Sequence, residues 1–237
     1  MRKPEALLFD LWGTLIQSEG FEPTRGHAAM LGLCDNPLGV SLQETLDLGA
    51  RVVKSLESRE DESALEFTQF SLMRIIADSF GLRFRLSLEE TEWEFWNAAL
   101  SVRLIDGVRD LLEHLKARGM PLGVVSNSSF VGLTLERELE RLGVRRYFEF
   151  VISSADYGVR KPDPIIFEIA LRRLGRDASR VWFAGDNVGY DIVGGRRAGM
   201  FCVAFNPLTA IPSGLGEYTS ITRWSELPGL ISSAGGA

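Results

Sequence analysis

The chain has 237 residues, 45% hydrophobic and 24% charged, with a formal net charge of −6. At roughly 100–200 residues per domain, this is one large globular domain or two small ones. The acidic balance excludes a nucleic-acid grip spread over the whole surface, and no apolar run approaches the ~18 residues of a membrane span. The two cysteines, Cys34 and Cys202, form neither a CxxC pair nor a disulfide framework, so a reducing, cytoplasmic compartment is expected.

Ala6-Leu7-Leu8-Phe9 is apolar on both faces and predicts a buried strand of a parallel sheet, with Asp10 at its end. From about residue 17 to 102 no apolar β-run stands out. Ser41-Leu42-Gln43-Glu44 and Ser87-Leu88-Glu89-Glu90 match the capping box. Helices are expected over about 41–57, 61–80 and 88–101, an all-helical insertion. Apolar runs then return at Leu122–Val125, Phe148–Ile152, Val181–Ala184 and Phe201–Ala204. Between them lie helical patterns: Val108 to Leu115, stopped by Gly119; Leu133 to Leu142, stopped by Gly143; Ile165 to Leu174, stopped by Gly175; and Val188 to Ala198, stopped by Gly199. This alternation predicts an α/β fold, a doubly wound parallel sheet with helices on both faces. The final stretch, Pro207 to Ala237, is rich in Pro, Gly and Ser, and its last residues are expected to fray.

In an open parallel sheet, ligands bind beyond the carboxyl ends of the strands. The first strand delivers Asp10-Leu11-Trp12-Gly13-Thr14 there, and the second Ser126-Asn127-Ser128-Ser129. The loop after the third brings Arg160-Lys161-Pro162-Asp163-Pro164; the fourth brings Gly185-Asp186-Asn187, with Asp191 in the following turn. Three carboxylates beside one ammonium suit a hard divalent cation with an anionic ligand. Mg²⁺ prefers one or two carboxylates together with water and phosphate oxygens. Each residue also has a plainer reading: Asp10, Ser126 or Lys161 as turn residues, Asp186 as a helix cap, Asp191 as a first-turn carboxylate favoured by the helix dipole.

Asp10-x-x-Gly13-Thr14, Ser126, Lys161-Pro162 and Gly185-Asp186-x-x-x-x-Asp191 together resemble the four motifs of the haloacid dehalogenase-like (HAD) hydrolase superfamily, in order along the whole chain. The resemblance implies a Rossmann-like core of strand order 3-2-1-4-5 from residues 1–16 and 103–237, with residues 17–102 as a helical C1-type cap. It implies a hydrolase, most often a Mg²⁺-dependent phosphatase of a small anionic substrate, with no nucleic-acid or membrane partner. Asp10 would be the nucleophile, forming an aspartyl-phosphate. Mg²⁺ would be held by Asp10, the backbone carbonyl of Trp12, Asp186 and, directly or through water, Asp191. Gly13, Thr14, Ser126 and Asn127 would hold phosphate oxygens, and Lys161 would offset charge on nucleophile and phosphate.

The departure is Trp12. Phosphatases of the superfamily usually carry a second aspartate there, which protonates the leaving group and activates water. An indole N–H cannot do this near neutral pH, and general acid–base help is worth ~10²–10⁴-fold. Slow turnover, a preference for good leaving groups, or an acid from elsewhere (His27, Glu19 or Glu22) is expected. The dehalogenase branch also carries an aromatic residue at that place but lacks the aspartate pair of the fourth motif. A 2-haloacid dehalogenase, or a weakly catalytic binding or regulatory module, therefore stands as an alternative. Trp93, Phe95 and Trp96 read as helix core or as a lid over substrate, His114 as a surface residue, and Cys34 and Cys202 as neither metal nor redox sites.

Overall fold

The computed structural model describes residues 2–63, 65–207, 209, 214 and 217–235, the stretch 56–63 by its backbone. The chain runs β1 (Ala6–Phe9), β2 (Ile16–Phe21), α1 (Pro23–Gly32), β3 (Cys34–Asp35), α2 (Leu42–Ser63), α3 (Gln69–Phe80), β4 (Arg83–Phe84), α4 (Leu88–Ala99) and β5 (Leu100–Leu104). It continues through α5 (Val108–Ala117), β6 (Leu122–Ser126), α6 (Gly132–Arg141), β7 (Phe150–Ser153), α7 (Pro164–Leu174), β8 (Val181–Gly185), α8 (Gly194–Arg197), β9 (Phe201–Phe205), β10 (Tyr218–Ile221) and α9 (Leu227–Ser233).

Six strands form one parallel sheet in the order β10-β9-β8-β1-β6-β7. This is the expected 3-2-1-4-5 order with a sixth strand, β10, added at the edge. β1 lies at the centre, with Leu7 opposite Leu122 of β6 on one side and Trp182 of β8 on the other. The chain winds outward from β1 in both directions, so the carboxyl end of β1 is the topological switch point.

The alternation of side chains explains the apolar strand runs. Leu7 and Phe9 face a core shared with α5, α6 and α9, whereas Ala6 and Leu8 face a second core filled by Ile166, Phe167 and Ala170 of α7. Asp163 caps the start of α7 by accepting from the Ile165 N–H, and Gly175, in the left-handed region at φ 62°, ends it. The stretch beginning at Val188 opens as a π-helical turn, Val188–Val193, before α8.

Three regions differ from the sequence expectation. The insertion is not helical throughout: β2 pairs antiparallel with β5, and β3 with β4. β2 carries no apolar run because most of it is exposed, so backbone pairing to β5, not burial, holds it. α2 extends to Ser63, and the next helix starts only at Gln69, where Thr68 Oγ1 accepts the Ser71 N–H. In the C-terminal stretch, Trp224 stacks on Phe205 with ring centroids 4.2 Å apart, and Leu227 and Ile231 of α9 join the core. The expected fraying of the last residues concerns Gly236 and Ala237, which lie outside the described residues. Among the described residues no helix is long and apolar enough to cross a membrane.

Candidate active site

β1 hands Asp10 to the carboxyl edge of the sheet, where its N–H donates to the Ala184 carbonyl of β8 at 2.8 Å. The chain then turns back through Gly13 at φ 71°. A Cβ at Gly13 would collide with the Asp186 carboxylate, so both the conformation and the close approach call for glycine. The Thr14 hydroxyl donates to Asp186 Oδ1 at 3.5 Å, and the Thr14 carbonyl accepts the Trp224 indole N–H at 3.1 Å. The C-terminal stretch therefore steadies the first active-site loop.

The Asn127 side chain clasps the backbone of Lys161, donating to its carbonyl at 2.9 Å and accepting its N–H at 2.8 Å. That clasp sends the Lys161 side chain inward, where it is only 1% exposed. Its Nζ donates to Asp10 Oδ1 at 2.6 Å and to Asp191 Oδ1 at 2.7 Å. Asp191 comes from the π-helical turn after β8, a feature frequent at functional sites, and accepts the Asn187 N–H on Oδ2 at 3.0 Å.

Burial alone would depress the Lys161 ammonium. The charges of Asp10 and Asp191 and their two hydrogen bonds outweigh it and hold the pKa above the ordinary lysine value. Burial, and then the charge of Asp10, push the Asp186 carboxyl above the usual carboxylate range. Burial pushes Asp191 up as well, against the pull of Lys161. The site thus concentrates negative charge that a bound cation would relieve. Carboxylate oxygens of Asp10, Asp186 and Asp191 lie within 4.8 Å of one another. Hard oxygen donors so close together fit Mg²⁺, which binds oxygens at ~2.0–2.1 Å.

A cavity of about 260 Å³ opens over these groups, and Asp10, Trp12, Asn127, Lys161, Asp186 and Asp191 line it. Ser126 is wholly buried at the end of β6, its hydroxyl donating to the Asn127 carbonyl at 3.4 Å. Ser126, Gly13 and Thr14 are not among the lining residues. Arg160 and Asn187, which the sequence puts in the strand-end segments without a role, also line the cavity, as does Tyr190, which the sequence pattern did not single out. The one available signal was position: Arg160 abuts Lys161, and Tyr190 abuts Asp191.

The other candidate acids for the role Trp12 cannot fill lie elsewhere. His27 is buried inside the insertion, its Nδ1 3.3 Å from Thr45 Oγ1 and its ring edge-on to Phe95. Burial also lowers its pKa. Glu19 pairs with Arg103, and Glu22 with Arg25. His114 lines a separate hollow with Lys3 and Arg118. Both cysteines are buried and free.

The insertion is fastened to the sheet domain beside the cavity. The Trp96 indole on α4 donates to Glu138 of α6 at 2.9 Å, and its ring meets Phe130 edge-on at 4.8 Å. Glu92, also on α4, accepts the Val131 N–H at 3.1 Å and the Thr134 hydroxyl at 2.5 Å. Glu66, between α2 and α3, and Gln69, the first residue of α3, donate their N–H groups to the carbonyls of Gly158 and Ser129. The Glu66 carboxylate accepts from Ser154 Oγ at 2.6 Å and lies 3.6 Å from Arg160 Nε.

Comparison with known proteins agrees with this geometry. The family model described as haloacid dehalogenase-like hydrolase matches residues 4–199. A glyceraldehyde 3-phosphate phosphatase from Methanothermobacter thermautotrophicus is 28% identical over 85% of each chain. An (S)-2-haloacid dehalogenase from a Pseudomonas species is 27% identical over 99% of this chain and 98% of its own. A solved 2-haloacid dehalogenase from Pseudomonas syringae superposes with a TM-score of 0.64 at 25% identity, covering 98% of this chain and 99% of the other. An HAD phosphatase from Thermococcus onnurineus shares the fold at a TM-score of 0.63 and 23% identity, with 98% of both chains covered. The motif order, the switch-point site and the family match converge: the chain belongs to the haloacid dehalogenase-like hydrolases.

Proposed function

We propose that the protein is a Mg²⁺-dependent phosphatase of a small phosphorylated molecule, with Asp10 as nucleophile. The observation that carries this reading is the buried Lys161 ammonium bridging Asp10 and Asp191, with Asp186 close by. Residues 17–102 act as the cap and the remainder as the catalytic core. The phosphatases among the relatives, including the glyceraldehyde 3-phosphate phosphatase, support the substrate class.

Lys161 holds Asp10 in place through one hydrogen bond and compensates its charge, leaving the other carboxylate oxygen to attack phosphorus. The bond from phosphorus to the alcohol oxygen breaks as the aspartyl-phosphate forms, and the departing alkoxide takes its proton from water, since Trp12 has none to give. Water then attacks the phosphorus and the bond from phosphorus to the Asp10 oxygen breaks; the proton this water loses passes to the hydroxide formed in the first step, and phosphate and the Asp10 carboxylate are released. Backbone groups near Gly13, Thr14 and Asn127, with Lys161, hold phosphate oxygens, and the buried Ser126 steadies the Asn127 carbonyl beside them. Asp10, the Trp12 carbonyl, Asp186 and Asp191 would hold Mg²⁺, which supplies neutralisation of the phosphate charge when bound. Asp10→Asn should abolish Mg²⁺-dependent phosphate release from an aryl phosphate, and a chelator should silence the wild type. Undiminished release by the variant would overturn the assignment.

A second reading rests on Trp12 and on the dehalogenase relative that spans nearly the whole chain. A dehalogenase would attack carbon and release halide from a 2-haloacid with chelator present. That reading leaves Asp186, drawn close to Asp10 and Asp191, without a task. A binding or regulatory module would release neither phosphate nor halide.

A further inference from the structure

Trp12 is half-buried and lines the cavity, two residues from Asp10. Its ring packs against Trp96. Trp96 is a firm backing: it is wholly buried, its indole N–H is held by Glu138, and Phe130 meets its ring edge-on. Phe95 packs on Phe130 in turn, with ring centroids 6.3 Å apart. A cluster of aromatic rings thus runs from the core of the insertion to the cavity wall, and Trp12 is its member on that wall. Side chains packed so closely keep to one rotamer, so the indole is a fixed surface of the cavity.

That surface bears on the choice of substrate in two ways. An indole gives up no proton near neutral pH, so the group leaving phosphorus departs as its anion. Phenols ionise near pH ~10 and water near ~15.7, with aliphatic alcohols close to water, so an aryloxide leaves unprotonated far more readily than an alkoxide. An aromatic ring also gains from offset or edge-on packing against an indole, beyond the apolar area it buries, which a puckered aliphatic ring does not. Both effects favour a planar aromatic group on the ester oxygen. The cavity, at about 260 Å³, is below the ~300–1,000 Å³ of sites for drug-sized ligands, a size for a phosphate and one ring. We infer that Trp12 is a specificity-determining residue, its fixed indole packing against the leaving group, and that the substrate is the phosphate ester of a single-ring phenol. As Asp10 attacks, the bond from phosphorus to the phenolic oxygen breaks, and the aryloxide departs with the bonding pair and takes its proton from water. This rests on the phosphatase reading and narrows it.

The test uses the intact chain with Mg²⁺ and two matched pairs of probes. Phenyl phosphate and cyclohexyl phosphate are the substrates. Phenylphosphonate and cyclohexylphosphonate, which have no ester oxygen to leave, report ring packing without leaving-group acidity. The wild type should favour phenyl over cyclohexyl phosphate in kcat/KM by about a hundredfold or more, the scale of the missing acid's help. In calorimetry it should bind phenylphosphonate about fivefold more tightly than cyclohexylphosphonate. Trp12→Phe, which keeps a ring, should retain most of that difference in Kd, and Trp12→Leu should abolish it. Phosphate release from phenyl phosphate with equal Kd values for the two phosphonates overturns the inference and leaves the phosphatase reading intact. So does a difference in Kd that survives in Trp12→Leu, or cyclohexyl phosphate hydrolysed as fast as phenyl phosphate. If Trp12→Leu does not fold, the wild-type Kd values and Trp12→Phe decide. No phosphate from either ester overturns both readings.

Discussion

The Trp12 ring packs against the Trp96 ring, with centroids 5.6 Å apart and planes inclined by 42°. One indole belongs to the loop that carries Asp10, the other to α4 of the insertion. Trp12 is therefore a contact between the loop that carries Asp10 and the insertion.

Trp12→Asp separates this packing role from proton supply. Loss of the aromatic contact should lower stability by about 1–3 kcal/mol, less than a fully buried aromatic because Trp12 is only half-buried. Restoring a carboxylate should speed hydrolysis of alkyl phosphates, whose leaving groups need a proton, more than aryl phosphates. Denaturant unfolding measures the first effect, and the ratio of alkyl to aryl kcat/KM the second. A folded variant with an unchanged ratio would mean that the indole shapes the cavity and that proton transfer does not limit turnover.

The legible parts of the site were the charges at strand ends. Asp10, Lys161, Asp186 and Asp191 stand beside strands or glycines whose local pattern announces the carboxyl edge of a sheet. β1 was equally plain, because both of its faces are buried and its sequence is apolar throughout. β2 was not, since an exposed ribbon strand has no burial pattern to display. Nor was the partnership of Trp96 with Glu138, 42 residues away, because a tryptophan in an amphipathic helix looks like ordinary core. Arg160 reads as one residue of a strand-end loop, with no role of its own, until the fold sets Glu66 behind it and Tyr190 beneath it. Pattern reveals burial; pairing between distant polar groups comes only with the tertiary structure.

Lys161→Met tests the electrostatics of the carboxylate cluster. The variant leaves Asp10 and Asp191 buried without their shared ammonium, a loss of about 3–5 kcal/mol for a broken buried pair. Hydrolysis should fall to background. Mg²⁺ should then raise the melting temperature of the variant more than that of the wild type, because the cation takes over part of the missing charge compensation. Equal Mg²⁺ shifts in the two proteins would argue that the ion does not bind near Lys161.

Trp96→Phe tests the fastening of α4 to α6. The ring contact with Phe130 survives in kind, but Glu138 loses the indole donor and keeps Arg141 as its remaining side-chain partner, at 2.9 Å and 3.1 Å. A buried carboxylate left short of a donor should cost about 1–3 kcal/mol. In the double variant with Glu138→Leu, which removes the acceptor, the two losses should be less than additive, since each single change already breaks the same indole–carboxylate hydrogen bond. Strict additivity, read from denaturant unfolding of all four proteins, would show that the indole–carboxylate bond contributes nothing.

Glu92 should make the stability of this junction depend on pH. Its carboxylate is wholly buried between α4 and α6, with Oε2 accepting from Val131 and Thr134 and Oε1 without a hydrogen-bond partner. Burial pushes its pKa up to about 7, although the two hydrogen bonds pull the other way. The folded state therefore favours the protonated acid more than the unfolded chain does. The resulting stabilisation is complete below the unfolded value, about 4.5, and is lost as pH rises to about 7, after which it stays lost. Its size is on the order of 3 kcal/mol, at about 1.4 kcal/mol for each tenfold change in proton affinity. Glu92→Gln carries no titrating proton, so the stability difference between wild type and variant should move against the wild type between pH 5 and 8. Denaturant unfolding of both proteins across that range measures it, and a difference that stays flat with pH would show that Glu92 titrates as an ordinary surface carboxylate.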